Sequence, residues 1–237
     1  MLLVTPFAAS CQIFATAVPA PLSPELEREV GACWQEAQSG GRTLFNGAML
    51  SLRERHADQL ICEVTEYRRW WAQTRHPDLF TELGIRPLAV CGLLLCADGL
   101  IVGRRSTEVT QDPGCWELAP SGGIAAECVD ATGRVDWRRQ LLEELREELG
   151  ITATPLAPIS ALCLIEDDES RVVDIGIVLE TALTAAEILG CHAGQGSDEY
   201  SSVQVVAQEH WPRLLSDTRL AAVSKALLGY YLQQPAA

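Results

Sequence analysis

Positive charge is scarce in this sequence and lysine is nearly missing: Lys225 is the single lysine among 18 basic residues, which face 32 Asp and Glu for a formal net charge of −14. A surface of this sign repels nucleic acid and anionic lipid, so neither is an expected partner. The arginine bias fits arginine's preference for phosphate, and equally a GC-rich genome. Cys-x-x-Cys pairs are also missing. The nine cysteines (11, 33, 62, 91, 96, 115, 128, 163 and 191) are odd in number and mostly set among apolar residues. That points to a reduced, cytoplasmic chain without structural zinc. No basic residue precedes Arg28, so the apolar stretch Met1 to Leu22, with its Ala17-Val18-Pro19-Ala20, lacks the positive start of a signal peptide. Gln12, Thr16, Pro6, Pro19 and Pro21 interrupt it too often for a spanning helix. It reads as a strand or arm on the fold. Internal repeats and low-complexity linkers are absent as well.

What is present is an ordinary globular composition, 237 residues with 48% hydrophobic and 21% charged side chains. Residues 1–86 read as a mixed α/β extension. Ser23-Pro24-Glu25-Leu26-Glu27 starts a helix running to about Gln38, with an N-cap serine, proline in the first turn and acids near the positive helix end. Strands follow at Thr43 to Leu52 and Gln59 to Glu66, then a helical stretch with Tyr67, Trp70 and Trp71 that ends near His76-Pro77. From Pro87 the texture becomes apolar strand: Leu88 to Cys96 and Leu100 to Gly103 around the turn Ala97-Asp98-Gly99, then Ile159 to Ile165 and Val172 to Leu179 around the acidic tip Glu166-Asp167-Asp168-Glu169. A helix from Asp136 to Leu149, closed by Gly150, lies between these hairpins. A strand from Ser201 to Ala207 and a helix from about Ser216 to Leu232 complete the chain. Strands around a central helix, without regular βαβ alternation, give an α+β class.

On the helical wheel of 136–150, Trp137, Leu141, Leu142, Leu145 and Leu149 share a broad face that must pack on a sheet. Glu144, Glu147 and Glu148 gather beside it. Glu143 has Arg139 at i−4 and Arg146 at i+3 and reads as structural. The other three have no basic residue at three or four positions and mostly meet each other, an unfavourable arrangement that a divalent cation would reverse.

Upstream stands Trp116-Glu117-Leu118-Ala119-Pro120-Ser121-Gly122-Gly123, whose paired glycines permit close approach to a ligand. Earlier still, Gly103-Arg104-Arg105-Ser106 ends a strand. The run from Gly122 through Glu144-Leu145-Arg146-Glu147-Glu148-Leu149-Gly150-Ile151 resembles the Nudix box, the signature of Nudix hydrolases, over roughly residues 87–237. The resemblance implies an α/β/α sandwich and Mg²⁺- or Mn²⁺-dependent hydrolysis of a nucleoside diphosphate linked to another group. It assigns Glu144, Glu147 and Glu148 as metal ligands, with Glu144 and Glu148 catalytic and Glu199 as a further acid. Arg104, Arg105, Gly122 and Gly123 become substrate-binding candidates, although adjacent arginines on a strand point to opposite faces. The box is irregular: Glu143 stands where arginine is usual, and Val135 and Val129 where glutamate and glycine belong. An insertion over Cys128 to Arg134 accounts for the shift, with Glu127 standing in for the missing acid and Arg139 supplying the guanidinium. Leu44-Phe45-Asn46-Gly47, Tyr67-Arg68-Arg69-Trp70-Trp71 and Gly92-Leu93 add a loose likeness to the UDP-sugar group of the family, so a UDP- or ADP-sugar is the expected substrate. Phe45, Trp70 and Trp116 are aromatics that could stack on it. The irregular box leaves open a Nudix-fold binding or regulatory protein without turnover, and the sequence leaves room for a homodimer.

Overall fold

The computed structural model describes residues 1–8, 10–16, 21–40, 44–152 and 159–234. Ala17 to Ala20, the signal-like motif, lie outside them. The main sheet has eight strands. Its path runs β1 (Leu2–Pro6), β9 (Ser160–Asp167), β10 (Val173–Glu180), β5 (Leu88–Cys96), β6 (Gly99–Arg105) and β11 (Tyr200–Val206), with β7 (Trp116–Leu118) on β6 and β8 (Ser121–Gly123) on β5. Alternation along β5 divides its side chains between two cores. Leu88, Val90 and Leu94 join one cluster with Leu141, Leu145 and Leu149 of α4 (Trp137–Leu149). Cys91 and Leu93 join the other with Leu227 and Leu228 of α7 (Ala222–Leu232). Helices therefore cover both faces, and the fold is the expected α/β/α sandwich.

The first 86 residues supply more than an attached unit. β1 is the edge strand of the main sheet, paired with β9 from Leu2↔Asp167 to Pro6↔Cys163. A three-stranded sheet of β2 (Gln12–Thr16), β4 (Gln59–Glu66) and β3 (Ala48–Arg55) sends Ile13, Leu50, Leu52 and Leu60 into the core that α4 occupies. Helices α1 (Pro24–Ser39), α2 (Tyr67–Arg75) and α3 (Phe80–Leu83) form a third cluster around Val30, Trp70 and Trp71. The Cys128 to Arg134 segment is a tight loop whose Asp130 carboxylate accepts from the Thr132 and Arg134 amides. It docks on β2 through Ala15 N–H to the Gly133 carbonyl at 2.8 Å.

Several expectations shift. β3 begins at Ala48, because Asn46 and Gly47 instead fasten α2: the Asn46 side chain accepts from Arg68 N–H and the Gly47 carbonyl from Tyr67 N–H. Leu142 is 42% exposed and leaves the apolar face of α4. The C-terminal helix splits into α6 (Trp211–Ser216) and α7, and a helix the hydrophobic pattern did not mark, α5 (Ala185–Gln195), packs beside α4. All nine cysteines are free. No helix among the described residues is long and apolar enough to cross a membrane.

Candidate active site

β5 and β6 pair only beside their turn, at Leu95↔Leu100 and Cys96↔Gly99. Beyond it the sheet forks, β8 filling in along β5 and β7 along β6. A cavity of about 740 Å³ opens in the fork, with Ala89, Cys91, Arg105, Glu117 and Ser121 to Gly123 in its lining. Phe45, Met49, Tyr67 and Trp70 form a wall from the first third of the chain.

Behind β8 stands α4. Its N-cap Asp136 accepts from Arg139 N–H, and Gly150 closes it at φ 68°, a left-handed conformation that favours glycine. Glu148 is fully buried. One of its oxygens accepts from Ser121 N–H at 3.0 Å, and the other, Oε1, has no partner. Burial pushes its carboxyl well above the usual range, reinforced by the charges of Glu117, Glu144 and Glu199. Glu144 accepts from the Gln140 side-chain amide at 2.8 Å; burial pushes its carboxyl up to about 8 against that bond. Gln140 is held in turn by Ala125 N–H at 2.9 Å. A Cβ on Gly122 would lie 2.0 Å from Glu144 Oε1, whereas one on Gly123 would meet nothing within 4 Å. The close approach at the glycine pair is thus made by the Glu144 carboxylate itself.

The remaining candidates separate. Glu199 lines the cavity and pairs with Arg105 at 3.4 Å. Arg105 also lines it, held by the buried Glu117, while Arg104 lies outside and reaches the Gly114 carbonyl at 3.4 Å. Glu147 is exposed and pairs with Arg146 at 2.6 Å, at a spacing of one residue rather than three or four. Glu143 pairs with Arg139 as expected, at 3.1 Å. Arg139 turns Nε to Glu143 and Nη1 to the Glu127 carbonyl and makes no hydrogen bond to Glu144 or Glu148; Gln140 holds Glu144. Glu127 is exposed and its side chain joins nothing at the site. Phe45 and Trp70 line the cavity and Trp116 does not.

Among the described residues no three His, Cys, Asp or Glu side chains stand close enough to hold a metal ion as they are. The buried pair fits a divalent cation all the same. Glu148 Oε1 is an orphaned hard oxygen donor, the kind Mg²⁺ and Mn²⁺ take. The repulsion of Glu144 and Glu148 with Glu117 and Glu199 has the sign a cation would relieve. The Glu147 pair with Arg146 is solvated, and such pairs are worth only about 0–1 kcal/mol, so this carboxylate can turn inward at small cost.

Three polar groups here have no counterpart in the sequence reading. Glu117 is buried against Arg105, and Trp116-Glu117 within a short strand was its only signal. Tyr200 is buried with its hydroxyl beside the Glu117 and Glu148 carboxylates, in space that Gly103 leaves free: a Cβ there would lie 2.7 Å from the Tyr200 ring. Asp174 lines the cavity from within an otherwise apolar strand.

No family model and no curated protein matches the chain. Solved structures do resemble it. A protein from Deinococcus radiodurans is 17% identical with a TM-score of 0.45, over 60% of this chain and 81% of its own. A Nudix family hydrolase from Clostridium perfringens is 10% identical with a TM-score of 0.39, over 62% and 98%. A bifunctional NMN adenylyltransferase/ADP ribose pyrophosphatase from Francisella tularensis, complexed with AMP and a manganese ion, is 14% identical with a TM-score of 0.41, over 67% and 45%.

Proposed function

We propose that the protein is a divalent-cation-dependent hydrolase of the Nudix type that cleaves the diphosphate of a nucleoside diphosphate joined to another group, a UDP- or ADP-sugar fitting best. The observation that carries this is Glu148, fully buried with one oxygen unpartnered and the other bonded to the N–H of Ser121, a β8 residue that lines a substrate-sized cavity. Glu144, Glu148 and, turned inward, Glu147 would hold Mg²⁺ or Mn²⁺. When bound, the cation neutralises diphosphate oxygens and acidifies a water.

The chain does the rest. Ser121 N–H fixes Glu148, the Gln140 amide fixes Glu144, and Gly122 lets β8 lie against that carboxylate. Glu144 would accept the proton of the attacking water. The water adds to phosphorus and the bridging oxygen leaves, giving a nucleoside monophosphate and a sugar phosphate. Glu199 adds acid on the cavity side, and Arg105, already paired, keeps Glu117 satisfied rather than clamping phosphate.

Mg²⁺ titration with UDP-sugars, ADP-ribose, NADH and coenzyme A tests the proposal, read by release of phosphate monoester. Turnover that requires the cation is expected for at least one nucleotide sugar. A nucleotide-binding protein without turnover is the second reading, favoured by Glu143 in the arginine position and by Glu147 turned toward Arg146. It predicts a ligand-induced rise in melting temperature with no cleavage.

A further inference from the structure

The cavity has one Arg in its lining, Arg105, against the carboxylates Asp112, Glu117, Asp167, Glu169, Asp174 and Glu199. Most of these are accounted for. Asp167 accepts from the Glu169 and Ser170 amides, Glu117 and Glu199 hold Arg105, and Asp112 and Glu169 are exposed. Asp174 is different: it is 5% exposed and makes no hydrogen bond or ion pair with the described residues. A carboxylate buried in this way is costly unless something supplies donors. Its neighbours across the sheet supply none, because Asp174 stands opposite Ala89, and Ala89 opposite Gly123.

That register also sets a scale. Asp174 and Gly123 are two strand spacings apart, roughly 10 Å, and the neighbouring Gly122 touches Glu144. The reacting diphosphate belongs at the α4 end. The group at Asp174 is therefore one of the two that flank it, the nucleoside or the moiety linked to it. A phosphate there would meet Asp174 and Glu117 with no free cation, whereas a neutral ring with adjacent hydroxyls offers two donors to two carboxylate oxygens. Tyr67 and Trp70, edge to face at 5.4 Å, provide an apolar wall for such a ring on the same cavity.

We infer that Asp174 recognises the group linked to the nucleotide, accepting hydrogen bonds from vicinal hydroxyls of a sugar ring. This rests on the proposed site, and it makes Asp174 a specificity-determining residue rather than a catalytic one. The test is calorimetric binding to the full chain with Ca²⁺ in place of Mg²⁺, using UDP-glucose, the set of its monodeoxy analogues, and UMP. Wild-type protein is expected to bind UDP-glucose at least about tenfold more tightly than one of the analogues. Asp174→Asn is expected to erase that difference and leave UMP binding unchanged.

The inference is overturned if Asp174→Asn keeps the discrimination, if it weakens UMP as much as UDP-glucose, or if wild-type protein binds none of the set. Failure of the hydrolase reading looks different. Discrimination that depends on Asp174, with no UMP released in Mg²⁺, ends the hydrolase reading and leaves this assignment standing.

Discussion

A buried carboxylate with one bonded and one orphaned oxygen costs stability in the metal-free protein. Replacing Glu148 by glutamine keeps the shape and removes the ionisable group, so Glu148→Gln is expected to raise the urea midpoint of the metal-free chain while abolishing cation-dependent turnover. A loss of stability would instead mark Glu148 as an ordinary structural acid. Asp174 gives a pH signature. Burial first, then the charges of Glu117 and Asp167, push its carboxyl up to about 7. A raised carboxyl contributes its stability at low pH: in full below the unfolded value of about 4, declining as pH rises, and gone above about 7. The stability difference between wild type and Asp174→Asn is therefore expected to change across that window and to be flat above it, as urea midpoints against pH would show.

At the scale of elements, β8 and α4 are fitted to one another at a single glycine. Gly122→Ala drives a methyl into Glu144, and misplacing a reacting group by about an ångström can cost on the order of a hundredfold in turnover. Gly123→Ala meets no protein atom within 4 Å and is expected to lose far less kcat than Gly122→Ala, so a kcat comparison of the two separates close packing against the carboxylate from a general need for flexibility. Much of this was legible in the sequence. The apolar period, the Asp136 cap and Gly150 located α4 within a residue, and the missing i±3 and i±4 partners singled out Glu144, Glu147 and Glu148, of which Glu147 meets Arg146 one position away. The rest was not, for identifiable reasons. Leu142 shares the wheel's apolar arc, yet the sheet it was expected to cover does not reach it. α5 has a weak apolar stripe, and its readable signal was the capping box Thr184 to Glu187. Glu117, Tyr200 and Asp174 sit in short or apolar strands, where sequence separation hides that three different strands converge on one fork.

Across the whole molecule, the cavity joins two parts of the chain that the sequence texture separates. Residues 1–86 close the core over α4 through β2, β3 and β4, and supply the aromatic wall. Phe45 is 86% exposed yet lines the cavity, so Phe45→Ala is expected to raise KM several-fold without shifting Tm, whereas a purely surface role would leave both unchanged. On the proposed reading, the excess of 14 negative charges divides into an ordinary acidic surface and a small buried group that takes a cation to meet a phosphorylated ligand. The most direct test of that claim is Mg²⁺-dependent release of nucleoside monophosphate from UDP-glucose and ADP-ribose by wild type and Glu148→Gln, with folding verified by thermal melting. Saturable Mg²⁺-dependent release by wild type, lost in a Glu148→Gln variant that melts no lower, is the predicted result. Turnover that persists in Glu148→Gln, or that is indifferent to Mg²⁺, would contradict it.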